Sequence, residues 1–420
     1  MADPIRGLVA NDSQTRLFIV SSNRLTEVLR DGSRVERGTL RTRRGYVDMR
    51  VGARQLVIVD GPNGYILNLA TNVFSRITAA GWKGSDRVGY AAGRFLFSDP
   101  DTGIFYIGAV EDASSIDILD FVTASASPDN IVASLDSHGE AWLFGEVTVE
   151  PWSTSAAATA DFPFGQQTSG IMQTGLLAAF TARFLDNTFY WLGRDMSGGG
   201  QVYRAEGYSS KRISNDAIDQ LIQRQVELGA DMKKAIAYAY QDRGHSFYCL
   251  NVPGLDTTLC YDVRTGEWHD RAEFKNGDLS PHRAKWHAYC FGKHIIGGDD
   301  GKLYAFNAKR NNNAGDILVR ERVSPHYAQG NDRPISYGTF GLVCTAGQGP
   351  GEPVVMMRTS DDGGESWNDW RDAPLGETGN THQKVEFTQN GSAIDRVWHV
   401  RVTDDVPFSI ISAAVKGRAT

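Results

Sequence analysis

From Ala235 to Asp270, apolar and polar positions alternate in four short runs broken by three turns. In Ala235–Tyr240 the large Ile236, Tyr238 and Tyr240 alternate with Ala235, Ala237 and Ala239. Large and small side chains at a period of two predict a strand pressed between neighbouring sheets. Alanine favours helix, but Gln241-Asp242-Arg243-Gly244 then supplies turn chemistry, and His245–Asn251 returns with aromatic and apolar residues at alternate places. Pro253-Gly254-Leu255-Asp256 is a second reversal, Thr257–Tyr261 a third strand and Asp262-Val263-Arg264-Thr265-Gly266 a third turn, after which Trp268 lies on a fourth strand. Four antiparallel strands in roughly 40 residues make one β-propeller blade, and a blade cannot bury both its faces alone.

The same strand-turn-strand pattern recurs along the chain. A first unit spans Ile5 to Thr39 and a second runs through 55–59, the turn Asp60-Gly61-Pro62-Asn63-Gly64 and 65–69. Others centre on Gly93–Gly108, Asn130–Pro151 and Leu176–Ile213, the last with hairpins at Asp186-Asn187 and Ser197-Gly198-Gly199-Gly200. His287–Ala308 repeats the pattern after the opening unit. A spacing near ~45 residues predicts six or seven blades.

One helix interrupts them. Ser214 or Asn215 caps residues 216–228, with Ile218, Leu221, Ile222 and Val226 on one face and Gly229 as the stop. From about Arg333 the character changes. Ile335–Val343, Pro353–Arg358, His382–Thr388, Asp395–Thr403 and Phe408–Val415 predict a separate antiparallel β domain. The polar stretches Asn311-Asn312-Asn313-Ala314-Gly315 and Gln329-Gly330-Asn331-Asp332 lie nearest the boundary. The fold class is therefore all-β: a propeller over 1–331 with a helix at about 215–228, and a C-terminal antiparallel β domain over 332–420.

Composition changes this picture little. The 45 glycines suit frequent turns, and the net charge of −7 argues against a protein built to grip nucleic-acid backbone. No stretch has signal-peptide or membrane-span character, which predicts a soluble chain made in a cytoplasm without membrane insertion. Four cysteines do not make a disulfide framework, and Cys249 and Cys260 are expected opposite each other as reduced core thiols. Arg41, Arg43 and Arg44 form a small basic knot, read as a solvated loop with a docking point as the alternative.

Candidate chemistry is sparse. His282, His287, Cys290 and His294 count like metal ligands, but His287 and Cys290 are an odd number apart on one strand and point to opposite faces. Asp99, Asp101, Asp299 and Asp300 sit in turns where aspartate is expected anyway. Walker, G-x-S-x-G and HExxH patterns are absent from the sequence. No catalytic residue, cofactor or metal is assigned, and the chain is read as not an enzyme. The close Tyr261-Asp262…Thr265-Gly266…Trp268 resembles a kelch-type blade ending, in which the Trp packs between blades. Ser360, Asp362, Gly364 and Trp367 fit the sialidase Asp-box, which in that family is a turn device and not catalytic. Tyr261, Asp262, Gly266, Trp268, Asp362, Gly364 and Trp367 are accordingly expected to be structural.

Three longer stretches are more specific. KRISNDAIDQLI (211–222), GHSFYCLNVPG (244–254) and LCYDVRTGEWHDRA (259–272) resemble the tail hub, or packaged-DNA-stabilisation, proteins of short-tailed phages. The matching positions are Gly244, His245, Phe247, Tyr248, Tyr261, Asp262, Thr265, Gly266, Trp268, His269 and Arg271, joined by Arg358–Trp367 and by residues 395–413. The resemblance implies a propeller subunit in a homo-hexameric ring below the portal and its adaptor, a nozzle that helps retain packaged DNA. It further implies part of the DNA ejection channel, contact with tail needle, fibre or tailspike proteins, and a place in the virion after assembly in the bacterial cytoplasm. Relatives usually carry an N-terminal arm before the first blade, whereas this chain is in a blade by Arg16. The competing readings are a carbohydrate-active propeller, sialidase-like or depolymerising, and a kelch-type protein-binding module.

Overall fold

The computed structural model describes residues 3–124, 129–154, 162–194, 200–328, 333–349, 351–381 and 383–419. They divide into two compact units, Met1–Ala272 with Pro281–Phe306, and Glu273–Ser280 with Asn307–Thr420. The expected boundary at 331/332, its loop Gln329–Asp332, and most of the expected turn at 197–200 fall outside the described residues.

In the first unit the described strands form seven successive antiparallel sheets. Blade 1 holds Ile5–Ala10, Leu17–Ser21, Arg24–Val28 and Arg34–Thr39, and blade 2 holds Asp48–Gly52, Gln55–Val59, Gly64–Asn68 and Phe74–Arg76. Blade 3 runs from Val88–Ala91 to Phe121–Thr123, blade 4 from Ile131–Ser137 to Gly165–Gln166, and blade 5 from Gly175–Leu176 to Ser209–Arg212. Blade 6 begins at Ile236–Asp242, and blade 7 comprises Trp286–Cys290, Lys293–Gly297 and Leu303–Ala305. The first strands of most successive sheets contact one another around a circle; blade 4 reaches blade 5 through its second strand, and blade 5 reaches blade 6 through Arg183–Leu185. Blade 7 returns to blade 1, where Trp286 Nε1 donates to the Ile5 carbonyl at 3.0 Å and the Ile5 N–H donates to Gly298 at 3.0 Å. The all-β propeller is thus closed, and the expectation of six or seven blades resolves to seven among the described residues.

The buried runs explain themselves in this arrangement. Both faces of every blade meet a neighbour, so the central strands read apolar at consecutive positions. On Leu17–Ser21, Leu17 and Ile19 belong to the cluster shared with blade 7, while Phe18 and Val20 belong to the cluster shared with blade 2. Tyr238 and Tyr240 likewise pack toward blade 7, and Ala235 and Ala237 toward blade 5. Bulk is placed where the gap is wide and alanine where it is narrow.

The helix is Asp216–Glu227, capped by Asn215, whose side chain accepts from the Ile218 N–H at 2.9 Å. Ser214 instead accepts from the Val202 N–H at 3.0 Å, so only Asn215 caps. Gly229 ends the helix at φ +80°. One expectation needs correcting. Ile218, Ile222 and Gln225 form the buried face, while Leu221 and Val226 are exposed. At 100° per residue Leu221 and Val226 fall on the flanks of a stripe that the i, i+4, i+7 positions already fill.

The second unit has one core between two sheets. In one sheet Asp395–Val402 pairs with Arg320–Val323 and Tyr327–Ala328 on one side and Val354–Ser360 on the other, followed by Arg371–Pro374. In the other, Ile335–Cys344 lies between Val385–Thr388 and Ile410–Ala419. Trp398 stacks on Phe340 at 4.6 Å between the two sheets.

Candidate functional site: the blade-six close and the axial funnel

The close of blade 6 is built from short-range turn chemistry. Asp262 Oδ1 accepts from the Arg264 N–H at 3.0 Å, and its carbonyl accepts from the Gly266 N–H at 2.9 Å. Gly266 sits at φ +73°, a conformation that costs a residue with Cβ about 1–2 kcal/mol. Reversing the chain there sets Tyr261 opposite Trp268 in register, with the rings 5.2 Å apart. Trp268 Nε1 donates to the Ile213 carbonyl at 2.9 Å and the ring packs against the cluster shared with blade 5. Asp262 Oδ2 also faces His245 Nδ1 at 2.7 Å. Burial opposes the charge on Asp262, but the bonds from His245, Arg264 and Thr265 outweigh it and hold the carboxyl below its ordinary value. Phe247 lies under the Arg271 guanidinium at 4.8 Å, and the Tyr248 hydroxyl donates to the Thr181 carbonyl at 2.9 Å.

The Cys249 and Cys260 side chains are cross-strand partners as expected, both fully buried free thiols with sulfurs 2.9 Å apart. His287 lines the funnel described below, while Cys290 joins Trp286 and Ala288 against blade 1, on the other face of the strand. His287 and His294 meet at 3.0 Å, and burial holds His287 down to about 3, so this pair is neutral at ordinary pH. Among the described residues no three metal-ligating side chains gather.

The Asp-box positions lie in the second unit. Asp362 Oδ1 accepts from the Ser366 N–H at 2.9 Å and from the Ser360 hydroxyl at 2.7 Å. The Gly364 N–H donates back to Ser360 at 2.8 Å, and Gly363 and Gly364 both have positive φ. These bonds, led by Ser366, press the Asp362 carboxyl well below its ordinary value. Trp367 covers Arg358 at 4.7 Å, Trp370 covers its other side at 4.5 Å, and Arg401 follows over Trp370 at 4.7 Å. Every group in this turn answers another, so the arrangement fastens a loop.

What the sequence missed is the axis of the propeller. A cavity of about 190 Å³ is lined by Leu8, Val47, Asp48, Met49, Arg183 and Trp286 with their neighbours. It shares Phe184, Ala239 and His287 with a wider mouth of about 660 Å³ edged by Gln14, Asp186, Asp242, Arg243 and Tyr289. The polar groups come from the inner strands. Arg87 Nε donates to Asp48 Oδ2 at 2.8 Å, and the Val88 N–H adds a bond at 3.0 Å. Arg50 pairs with Asp136 at 2.6 Å. Arg183 Nε donates to the Ala237 carbonyl at 2.6 Å, its guanidinium 5.8 Å from the Trp286 ring. Burial, with repulsion from Arg87 added, draws Arg183 down to about 10, so it stays cationic. These partners lie 39 to 86 residues apart in sequence, beyond any local pattern.

The family described as "Bacteriophage P22 Gp10, beta-propeller", a phage-stabilisation family, matches residues 2–310. No curated protein sequence matches the chain. Among solved structures, a Saccharomyces cerevisiae complex of Dbp5 with Nup159 and Gle1 is similar at 8% identity and TM-score 0.44, covering 73% of this chain and 89% of that one. PorZ of Porphyromonas gingivalis is similar at 12% identity and TM-score 0.42, with 89% of this chain and 45% of that one covered. The extracellular domain of BT4673 from B. thetaiotaomicron gives 10% identity and TM-score 0.46 over 99% of this chain and 57% of that one. The chain therefore spans about half the length of the latter two.

Proposed function

The chain belongs to the bacteriophage P22 Gp10 β-propeller family, and from that membership we propose that it is a tail hub subunit, forming a ring beneath the portal and adaptor. It is a phage structural protein of the virion. In this role it helps hold packaged DNA, forms part of the ejection channel and carries the distal tail parts. The family match over residues 2–310 carries the reading. Two physical features support it. The Asp262 close, the Arg87–Asp48 and Arg50–Asp136 pairs and the Asp-box turn engage their own side chains, as suits a rigid assembly part. The net charge of −7 lets DNA pass a channel without adhering to its wall.

A cyclic ring needs heterologous contacts that close, and two exposed apolar features suit them. On the helix Leu221 is 40% exposed, and Leu228, its C-cap, is 70% exposed. In the second unit the strand Ile410–Ala419 pairs only with Ile335–Cys344 among the described residues, and Ile411 is 75% exposed. Such an open apolar edge is a template for pairing with another chain. Sedimentation of the purified protein with and without portal–adaptor complex tests the reading. The hub predicts a six-subunit mass on the adaptor. A monomer that ignores the adaptor sinks it.

A further inference from the structure

We propose that the axial cavity of the propeller is a binding site for a monocarboxylate, with Arg183 as its counter-charge. The inference stands apart from the ring reading and needs only the first unit. Four charged side chains of the inner strands answer one another around the axis, as Arg87 with Asp48 and Arg50 with Asp136. Arg183 is the surplus cation. Among the described residues it has no carboxylate partner, and its Nε is bonded to the Ala237 carbonyl, which leaves the terminal nitrogens of the fork for a ligand. Asp48, the acid that acts on it electrostatically, is already engaged by Arg87 and the Val88 N–H.

A planar fork suits a carboxylate bonded through both oxygens. The cavity of about 190 Å³ has room for about six waters at roughly 30 Å³ each, or one small organic acid. Leu8, Val47, Met49, Trp286 and Phe184, the last 47% exposed at the neck, supply apolar side chains to its walls beside the polar Asp48, Arg183, Tyr238 and His287. The neutral His287 and the hydroxyl-bearing Tyr238 add no charge. Asp186, Asp242 and Arg243 leave one net negative charge at the mouth, which disfavours di- and trianions such as phosphate or citrate. An apolar body with a single carboxylate fits both halves. It can be a free small acid or the C-terminus of a partner chain entering through the mouth.

The test is thermal unfolding of the full chain at fixed ionic strength with benzoate, and with benzamide as its neutral analogue. Benzoate is expected to raise the midpoint saturably, by linkage to the folded state, and benzamide is not. Arg183→Met is expected to weaken benzoate binding at least tenfold. Because that variant can fail for reasons of folding, the benzoate–benzamide difference on the unaltered protein decides by itself. Equal responses to the two, or no saturable response to benzoate, overturn the proposal. So does a folded Arg183→Met protein with unchanged affinity. A tripeptide ending in a free carboxylate that binds tenfold tighter than benzoate, while its amide does not bind, assigns the site to a chain terminus. Weaker peptide binding assigns it to free acids.

Discussion

At the scale of single residues, long-range charged bonds hold loops that the local sequence leaves open. Arg6, 5% exposed, donates from its guanidinium to the carbonyls of Ser22, Thr42, Arg44 and Gly45 and to the Thr42 hydroxyl. The basic knot at Arg41–Arg44 is therefore an ordered loop fixed by its backbone, with its own arginine side chains turned outward. Its partners lie 16 to 39 residues from Arg6, beyond any local pattern. Glu27 is similar. Arg16 holds it at 2.7 and 2.8 Å and Arg37 at 2.7 Å, and these bonds, Arg16 first, lower its pKa against the opposing cost of burial. A depressed carboxyl contributes stability above its unfolded value near ~4.3 and loses that contribution as pH falls through the lower folded value. Glu27→Gln is expected to cost about 2–3 kcal/mol in urea unfolding at pH 7 and to flatten the acid limb of the stability profile below that range. In the second unit Glu321, held down to about 2 by His399 and then Arg401, should lose its share of stability progressively as pH falls from its ordinary value through about 2. The buried thiols of Cys249 and Cys260 should resist thiol reagents in native buffer and react fully in urea, in a timed labelling experiment.

At the scale of elements, legibility followed burial. Four strands of blade 6 could be read because its two large-small faces meet different neighbours and because Asp262, Gly266 and Trp268 set the turn locally; the fifth, Asp278–Pro281, carried no such signal. The helix was legible in position from Asn215 and Gly229. Its face was not, since Gln225 takes an inward place beside Gly254, where a Cβ would come within 2.2 Å of Gln225 Oε1. Asn215→Ala should cost about 1 kcal/mol by loss of the cap. Leu221→Lys with Leu228→Lys should leave the unfolding midpoint within about 1 °C, since both side chains are exposed, and yet abolish ring assembly in sedimentation. A ring that persists in that double variant would remove the helix from the interface. Trp268→Phe keeps most of the packing but loses the bond to Ile213, an expected cost of about 1 kcal/mol.

At the scale of the whole molecule, repetition was visible in sequence and closure was not. Inner strands such as Asp48–Gly52 carry Asp48 and Arg50 toward the axis, so they lack the apolar signature that marks the strands behind them. The join of blade 7 to blade 1 spans almost the full propeller sequence. Trp286→Ala removes a ring that is 4% exposed and its bond to Ile5. The expected loss is about 3–5 kcal/mol, with proteolysis beginning in blade 1. The central claim is the hub itself. Electron microscopy of the protein reconstituted with its portal–adaptor complex tests it most directly. The account predicts a six-fold ring capping the adaptor, with the 216–227 helix or the Ile410–Ala419 strand at each subunit boundary. A lone propeller beside an uncapped adaptor, or a ring whose boundaries include neither element, would contradict it.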